Sequence, residues 1–240
     1  MTKLIIIYLF FNISFLFAVN YSTLENKANH YKNKFKVNCV EDKITDNFGN
    51  GFESLYGTRN MRPILHGIAY RGGANNYYHK INKRDNKNPL PIDGLINLSN
   101  LGFSESVYLY SVNFDNSMKD VYNIDSTNLL YYSQNSLNNL NEIKEIFKKV
   151  KIIIDSVNKG PIYLHCWNGW HQSGMIAALL LIQFCDYTNT KALKYWELNT
   201  DGASSGYEKI KKIIKEFKPI NEFKIDQNTK ELICPCSKIE

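Results

Sequence analysis

Glycine and proline are scarce in this 240-residue chain, at 13 and 6 residues. Together with the overall composition, that excludes a collagen-like repeat and a low-complexity or disordered scaffold. Only one apolar run is long enough to matter, and mean hydropathy is −0.35, which excludes a polytopic membrane protein. Metal spacing is lacking too. The cysteines are Cys39, Cys166, Cys185, Cys234 and Cys236, without a second close pair, and His165 beside Cys166 cannot complete a tetrahedral set. No metal and no other cofactor is expected. Basic residues are dispersed over amphipathic helices and no recognised motif is present, so no nucleic-acid partner is expected either.

What is there is the composition of a globular domain: 44% hydrophobic, 22% charged and 13% aromatic. The length suffices for one well-filled core. A net charge of +6 suits an anionic ligand, and equally describes solvated lysine faces on helices.

Lys3 precedes an apolar run from Leu4 to Ala18, followed by polar VNYSTLENK. A short positive start, an apolar core and a small exit residue form the secretory pattern. Cleavage is predicted after Ala18, leaving a mature chain from Val19. At roughly 15 residues, with Asn12 and Ser14 inside, the run falls short of the ~20 needed for a span. The expected location is therefore secreted or periplasmic, without a stable membrane anchor. In such an oxidising compartment an odd cysteine count leaves at least one thiol unpaired. A mutual bridge across Cys234-Pro235-Cys236 would be strained, so one of the two is expected to pair with Cys39. Cys185, inside MIAALLLIQFC, reads as a buried small hydrophobe. Cys166 is the odd one.

The chain divides into a leader (1–18), a polar irregular extension (19–55), a folded domain (56–220) and a tail (221–240). Ile64-Leu65 and Ile68-Ala69-Tyr70 read as strand pieces, with Arg71-Gly72-Gly73 as a turn. A polar loop, HKINKRDNKNPLP, leads to a helix in IDGLINLSNLGF. Strands are expected in SESVYLYSVNF and NLLYYS. Leu140, Ile143, Ile146, Val150, Ile153 and Val157 recur at steps of three and four, an amphipathic helix closed by Gly160. PIYLHC is a short buried strand ending at Cys166, and GMIAALLLIQFC a helix buried on all sides. TKALKYWELN and SGYEKIKKIIKEFKPI give two later amphipathic helices. This order predicts an α/β layered domain.

Between the buried strand and the buried helix lies Cys166-Trp167-Asn168-Gly169-Trp170-His171-Gln172-Ser173-Gly174. A short loop entering a helix N-terminus turns backbone N–H groups into one concavity, and the helix adds about half a positive charge there. A thiol at the mouth of such a nest is favoured as the thiolate. Gly169 and Gly174 permit the curl, and Ser173 can donate to the sulfur. The expected site is thus a nucleophile in an anion cup, with Cys166, His171 and Ser173 as candidate catalytic residues. Trp167, Asn168, Gly169, Trp170, Gln172, Gly174 and Arg71 are the candidate anion-binding residues. His165 is expected to order the loop through backbone hydrogen bonds.

HCWNGWHQSG resembles the signature of the cysteine-dependent protein tyrosine and dual-specificity phosphatases, His-Cys-five residues-Arg-Ser/Thr. AYRGG resembles the Tyr-Arg-Ser/Gly turn of the atypical dual-specificity branch. The likeness runs loosely from Gly57 to Lys218 and is specific over residues 160–182. It implies a central, mostly parallel sheet flanked by helices. It also implies hydrolysis of phosphate monoesters, on a phosphoprotein or a small phosphorylated molecule, through a phosphocysteine at Cys166. His165, Cys166, Gly169 and Ser173 carry over by position.

Two family residues do not carry over. Gln172 stands where the family has its phosphate-clamping Arg, and supplies neither charge nor fork. The family's general-acid Asp has no counterpart: Ser133, Gln134 and Asn135 occupy its neighbourhood and Asp125 lies further back. Two compensations are open, His171 as a replacement charge and acid and Arg71 swinging over the cup. So is a binding module that keeps the cup without turnover, and so is thioester chemistry on a Cys166–His171 pair.

Overall fold

A computed structural model of the chain describes residues 22–75 and 89–239. The leader, its cut after Ala18 and loop residues 79–88 lie outside the described residues. Among the described residues no helix is long and apolar enough to cross a membrane.

The segment Ile162–Cys166 forms strand β6, buried along its whole length. Successive side chains of a strand point to opposite faces, so Ile162 and Leu164 enter one apolar cluster and Tyr163 the other. Five further strands flank it: β1 (Thr58–Leu65), β2 (Ala69–Ala74), β3 (Glu105–Tyr108), β4 (Asp120–Tyr122) and β5 (Leu129–Gln134). The sheet order is β1-β2-β6-β3-β5-β4. β2, β6, β3 and β5 run parallel, while the edge strands β1 and β4 are antiparallel. The expected central, mostly parallel sheet flanked by helices is what forms.

On one face pack α3 (Leu140–Asp155), α4 (Gln172–Phe184), α5 (Asn189–Leu198) and α6 (Glu208–Glu216). Of the 13 residues of α4, every one from Ser173 to Phe184 is buried, as its unbroken apolar sequence demands. The other face carries α1 (Leu24–Phe35) and α2 (Ile92–Asn100) over a layer of aromatics that includes Tyr31, Phe35, Tyr70, Phe103 and Tyr163.

The structure departs from expectation in four places. Within the segment expected to be irregular, residues 36–52 carry only turns, bends and isolated bridges, while residues 24–35 form α1, capped by the Thr23 hydroxyl and burying Ala28, Tyr31 and Phe35. Their steps of three and four are helical, but polar residues between them mask the pattern. Arg71-Gly72-Gly73 is not a turn; it completes β2, and the turn comes earlier, at residues 66–68. A Cβ at Gly73 would lie 2.3 Å from Trp167 O, so this glycine serves a close backbone approach. Cys185 is not a free hydrophobe but is bonded to Cys234, while Cys39 is bonded to Cys236, one of the two partners expected for it. The tail forms α7 (Gln227–Ile233), and Phe223, Ile233 and Ile239 join the core.

The tail is thus stapled both to the segment after α1 and to the end of α4. Removing the Cys185–Cys234 bridge as the double Cys→Ala variant is expected to cost about 2–5 kcal/mol. Denaturant unfolding measures this, and an unchanged midpoint would contradict a structural role for the bridge.

Candidate active site

In open α/β sheets ligands bind beyond the carboxyl ends of parallel strands. Cys166 ends β6 at the middle of that edge, with Gly72 of β2 and Tyr108 of β3 paired with its neighbour His165. Cys166 is the free cysteine among the described residues and is 5% exposed. Its Sγ lies 3.4 Å from the Ser173 hydroxyl.

The loop is held by its carbonyls. Trp167 O accepts from Ala74 N at 2.9 Å and from Arg59 Nε at 3.3 Å. Asn168 O accepts from Asn60 Nδ2 at 2.8 Å, and Gly169 O from the Arg71 guanidinium. A planar trans peptide places its N–H opposite its C=O. With the Trp167 and Gly169 carbonyls turned to the strands, the N–H groups of Asn168 and Trp170 face the other way. Gly169 has φ 77°, and a Cβ there would come within 2.7 Å of the Gly72–Gly73 backbone. Gly174 is helical instead and makes room for Trp196, whose Cδ1 would lie 3.0 Å from an added Cβ. α4 starts at Gln172 with no side-chain cap and no acidic residue in its first turn. Its positive end is therefore left open to an anion.

Asn60 and Arg59 carry no motif in the sequence. They reach the loop because β1 has a register shift between Arg59 and Arg62, with Asn60 at φ 50°. A bulge of this kind re-aims side chains next to functional sites.

His165 meets the first residue of the loop. Its Nδ1 meets Cys166 O at 3.2 Å, its Nε2 meets the Tyr132 hydroxyl at 2.9 Å, and Leu90 N donates to that hydroxyl at 2.9 Å. A carbonyl only accepts, so Nδ1 carries the hydrogen and Nε2 accepts from Tyr132. The ring stacks with Tyr163, Tyr108 and Tyr132 at centroid distances of 5.6, 5.3 and 5.6 Å. Burial pushes its pKa down to about 3, against the opposing pull of the Cys166 carbonyl.

Neither expected compensation takes the geometry foreseen for it. His171 Nε2 donates to Ala203 O at 2.7 Å, and its ring stacks on Tyr207 at 3.7 Å. Burial lowers its pKa, with the bond to Ala203 opposing, and the ring is engaged with the segment after α5. The same engagement removes it as partner for Cys166 in thioester chemistry. Arg71 does not swing over the cup: it is fully buried beneath the loop, bonded to Gly169 O, to Tyr195 OH at 2.9 Å and to Asn199 O at 3.4 Å. Trp167 lies under the Arg59 guanidinium at 5.6 Å, and Trp170 Nε1 donates to Asp201 at 3.2 Å. The Gln172 Oε1 is buried without a hydrogen-bond partner.

Ser133, Gln134 and Asn135 supply no carboxylate in the neighbourhood of the missing acid, and the carboxylate of Glu142 is engaged. Asn135 Nδ2 donates to Glu142 O at 2.9 Å, while the Glu142 carboxylate accepts from Asn138 N at 2.6 Å and Ser136 Oγ at 3.0 Å. These bonds cap α3 in the manner of a capping box. Asp125 sits in the turn between β4 and β5, at the edge of the sheet opposite Cys166. Among the described residues no group of three His, Cys, Asp or Glu could hold a metal ion.

No protein-family model and no curated protein matches the chain. Solved structures similar to it include TpbA of P. aeruginosa, at 12% identity and TM-score 0.42, over 65% of this chain and 86% of that one. Tk-PTP in its active form matches at 15% and 0.44, over 66% and 98%. The core catalytic domain of the PP-IP phosphatase SIW14 of S. cerevisiae, in complex with citrate, matches at 14% and 0.41, over 74% and 93%.

An unfolded imidazole takes up a proton below about pH 6.5, whereas His165 does so only near 3 and His66, buried likewise, near 4. Between those values the unfolded chain binds more protons, so stability falls as pH falls through this window. The His165→Gln variant is expected to show a shallower acid loss in denaturant titrations at pH 7, 5 and 4. A slope equal to that of the unsubstituted chain would contradict a neutral buried imidazole.

Proposed function

We propose that this chain is an exported, cysteine-dependent hydrolase of phosphate monoesters, acting on a phosphoprotein or a small phosphorylated molecule. The observation that carries the reading is Cys166 Sγ against Ser173 Oγ at 3.4 Å, at the mouth of a loop whose carbonyls are tied outward and whose following helix is uncapped. The two disulfides suit an oxidising compartment.

The Cys166 sulfur attacks phosphorus, an S–P bond forms and the ester O–P bond breaks. The leaving oxygen departs with the electron pair. Water then attacks phosphorus, the S–P bond breaks, phosphate leaves and Ser173 donates to the returning thiolate. Amides of the loop and of the first turn of α4 hold the equatorial oxygens. With no acidic side chain at positions 133–135 to protonate the leaving oxygen, phenols, which depart readily as anions, are better leaving groups than aliphatic alcohols. The preferred substrate class is an aryl phosphate, phosphotyrosine included. Lacking the clamp at 172 costs on the order of 3–4 kcal/mol of barrier, so turnover is slow.

Hydrolysis of a generic aryl phosphate across pH 5–8 tests this. Cys166→Ser should abolish it, and Gln172→Arg should raise kcat/KM about 10²-fold. Equal rates for the Cys166→Ser variant would end the enzyme reading. The Gln172 and Asn135 replacements favour a second reading, a binding module for phosphate-like anions. In that case phosphate raises the thermal midpoint, Gln172→Arg tightens binding and no turnover is seen.

A further inference from the structure

Gln172 leaves the loop with no guanidinium of its own, yet the loop rests on guanidinium groups. Arg71 on β2 is fully buried and Arg59 on β1 is 5% exposed. Both touch the outer side of the loop backbone, Arg71 at Gly169 O and Arg59 at Trp167 O. The acceptors of Arg71 are neutral: two carbonyls and the Tyr195 hydroxyl, whose ring centroid lies 5.4 Å from the guanidinium carbon. Arg62, 2% exposed, adds a third charge. Burial and then repulsion from Arg71 bring its pKa down to about 10, and Asp201 stands 4.0 Å away.

The Tyr163 phenol lies against the stretch of β2 that carries Arg71. Its hydroxyl donates to Gly73 O at 2.9 Å. Burial and then Cys166 raise its pKa, while Arg59 and Arg71 pull it the other way. One buried phenol therefore lies within electrostatic reach of the thiol and of both guanidiniums. Arginine stays charged in such surroundings, and a charge held in low dielectric acts over several ångströms without touching its target. Charge delivered through the backbone lacks the bidentate fork of a loop Arg. It favours an anion by its charge more than by the direction of its oxygens.

We propose that Arg71 and Arg59 are positioning residues that supply, from behind the loop, the positive charge absent at position 172. They make the cup select doubly over singly charged tetrahedral anions. The inference rests on the reading of the loop as an anion cup.

Tungstate and perrhenate, tetrahedral oxyanions that differ by one charge, are the probes. Each is titrated into the full chain by calorimetry. The unsubstituted protein is expected to prefer tungstate. Arg59→Gln and Arg71→Gln should each weaken tungstate by about tenfold and perrhenate by much less, while Arg59→Lys, which keeps the charge, retains the preference. An equal loss for both anions means that the arginines only hold the loop in shape, and overturns the proposal. So does an unchanged preference in Arg59→Gln. If the unsubstituted chain binds neither anion, the anion-cup reading itself falls and takes this inference with it. Should Arg71→Gln fail to fold, the Arg59→Gln and Arg59→Lys pair decides the question alone.

Discussion

The site depends on the carbonyl oxygens of Trp167, Asn168 and Gly169 being held by the two neighbouring strands. Each of the three has a donor there: Ala74 N and Arg59 for the first, Asn60 for the second, Arg71 for the third. Carbonyls turned outward are what leave amides free on the other side. A short loop has no internal ladder to fix that choice, so the strands make it. The bulge in β1 and the Gly72–Gly73 pair in β2 are the backbone features that let the strands come close enough.

Around that clamp the polar residues divide into those that act on the loop and those drawn away from it. His165 is locked neutral between three tyrosines and fixes the carbonyl of Cys166. His171, one residue before α4, is drawn off to Ala203 and Tyr207. Glu142 is occupied with the start of α3. The cup is therefore left with a sulfur, a hydroxyl and amides. Such a set is suited to binding an oxyanion and to displacing a leaving group that needs no proton.

The parts legible in the sequence were those governed by local patterning. The apolar run of α4, the heptad-like steps of α3 and the strand before Cys166 each announce themselves because burial on one or all sides forces their composition. The position of Ser173 relative to Cys166 followed from the motif. What the sequence concealed is set by distant contacts. The bond between Cys185 and Cys234 joins the end of α4 to the tail, and nothing near Cys185 distinguishes it from a core thiol. Arg59 and Asn60 reach the loop only through a register shift. His171 looked suited to the reaction until the segment after α5 supplied it with other partners.

The bridge between Cys39 and Cys236 spans 197 positions and so makes most of the polypeptide a covalent ring. A protease cut at any one surface bond inside it opens that ring without releasing a fragment. A molecule nicked in this way keeps its two pieces joined through the bond between Cys39 and Cys236.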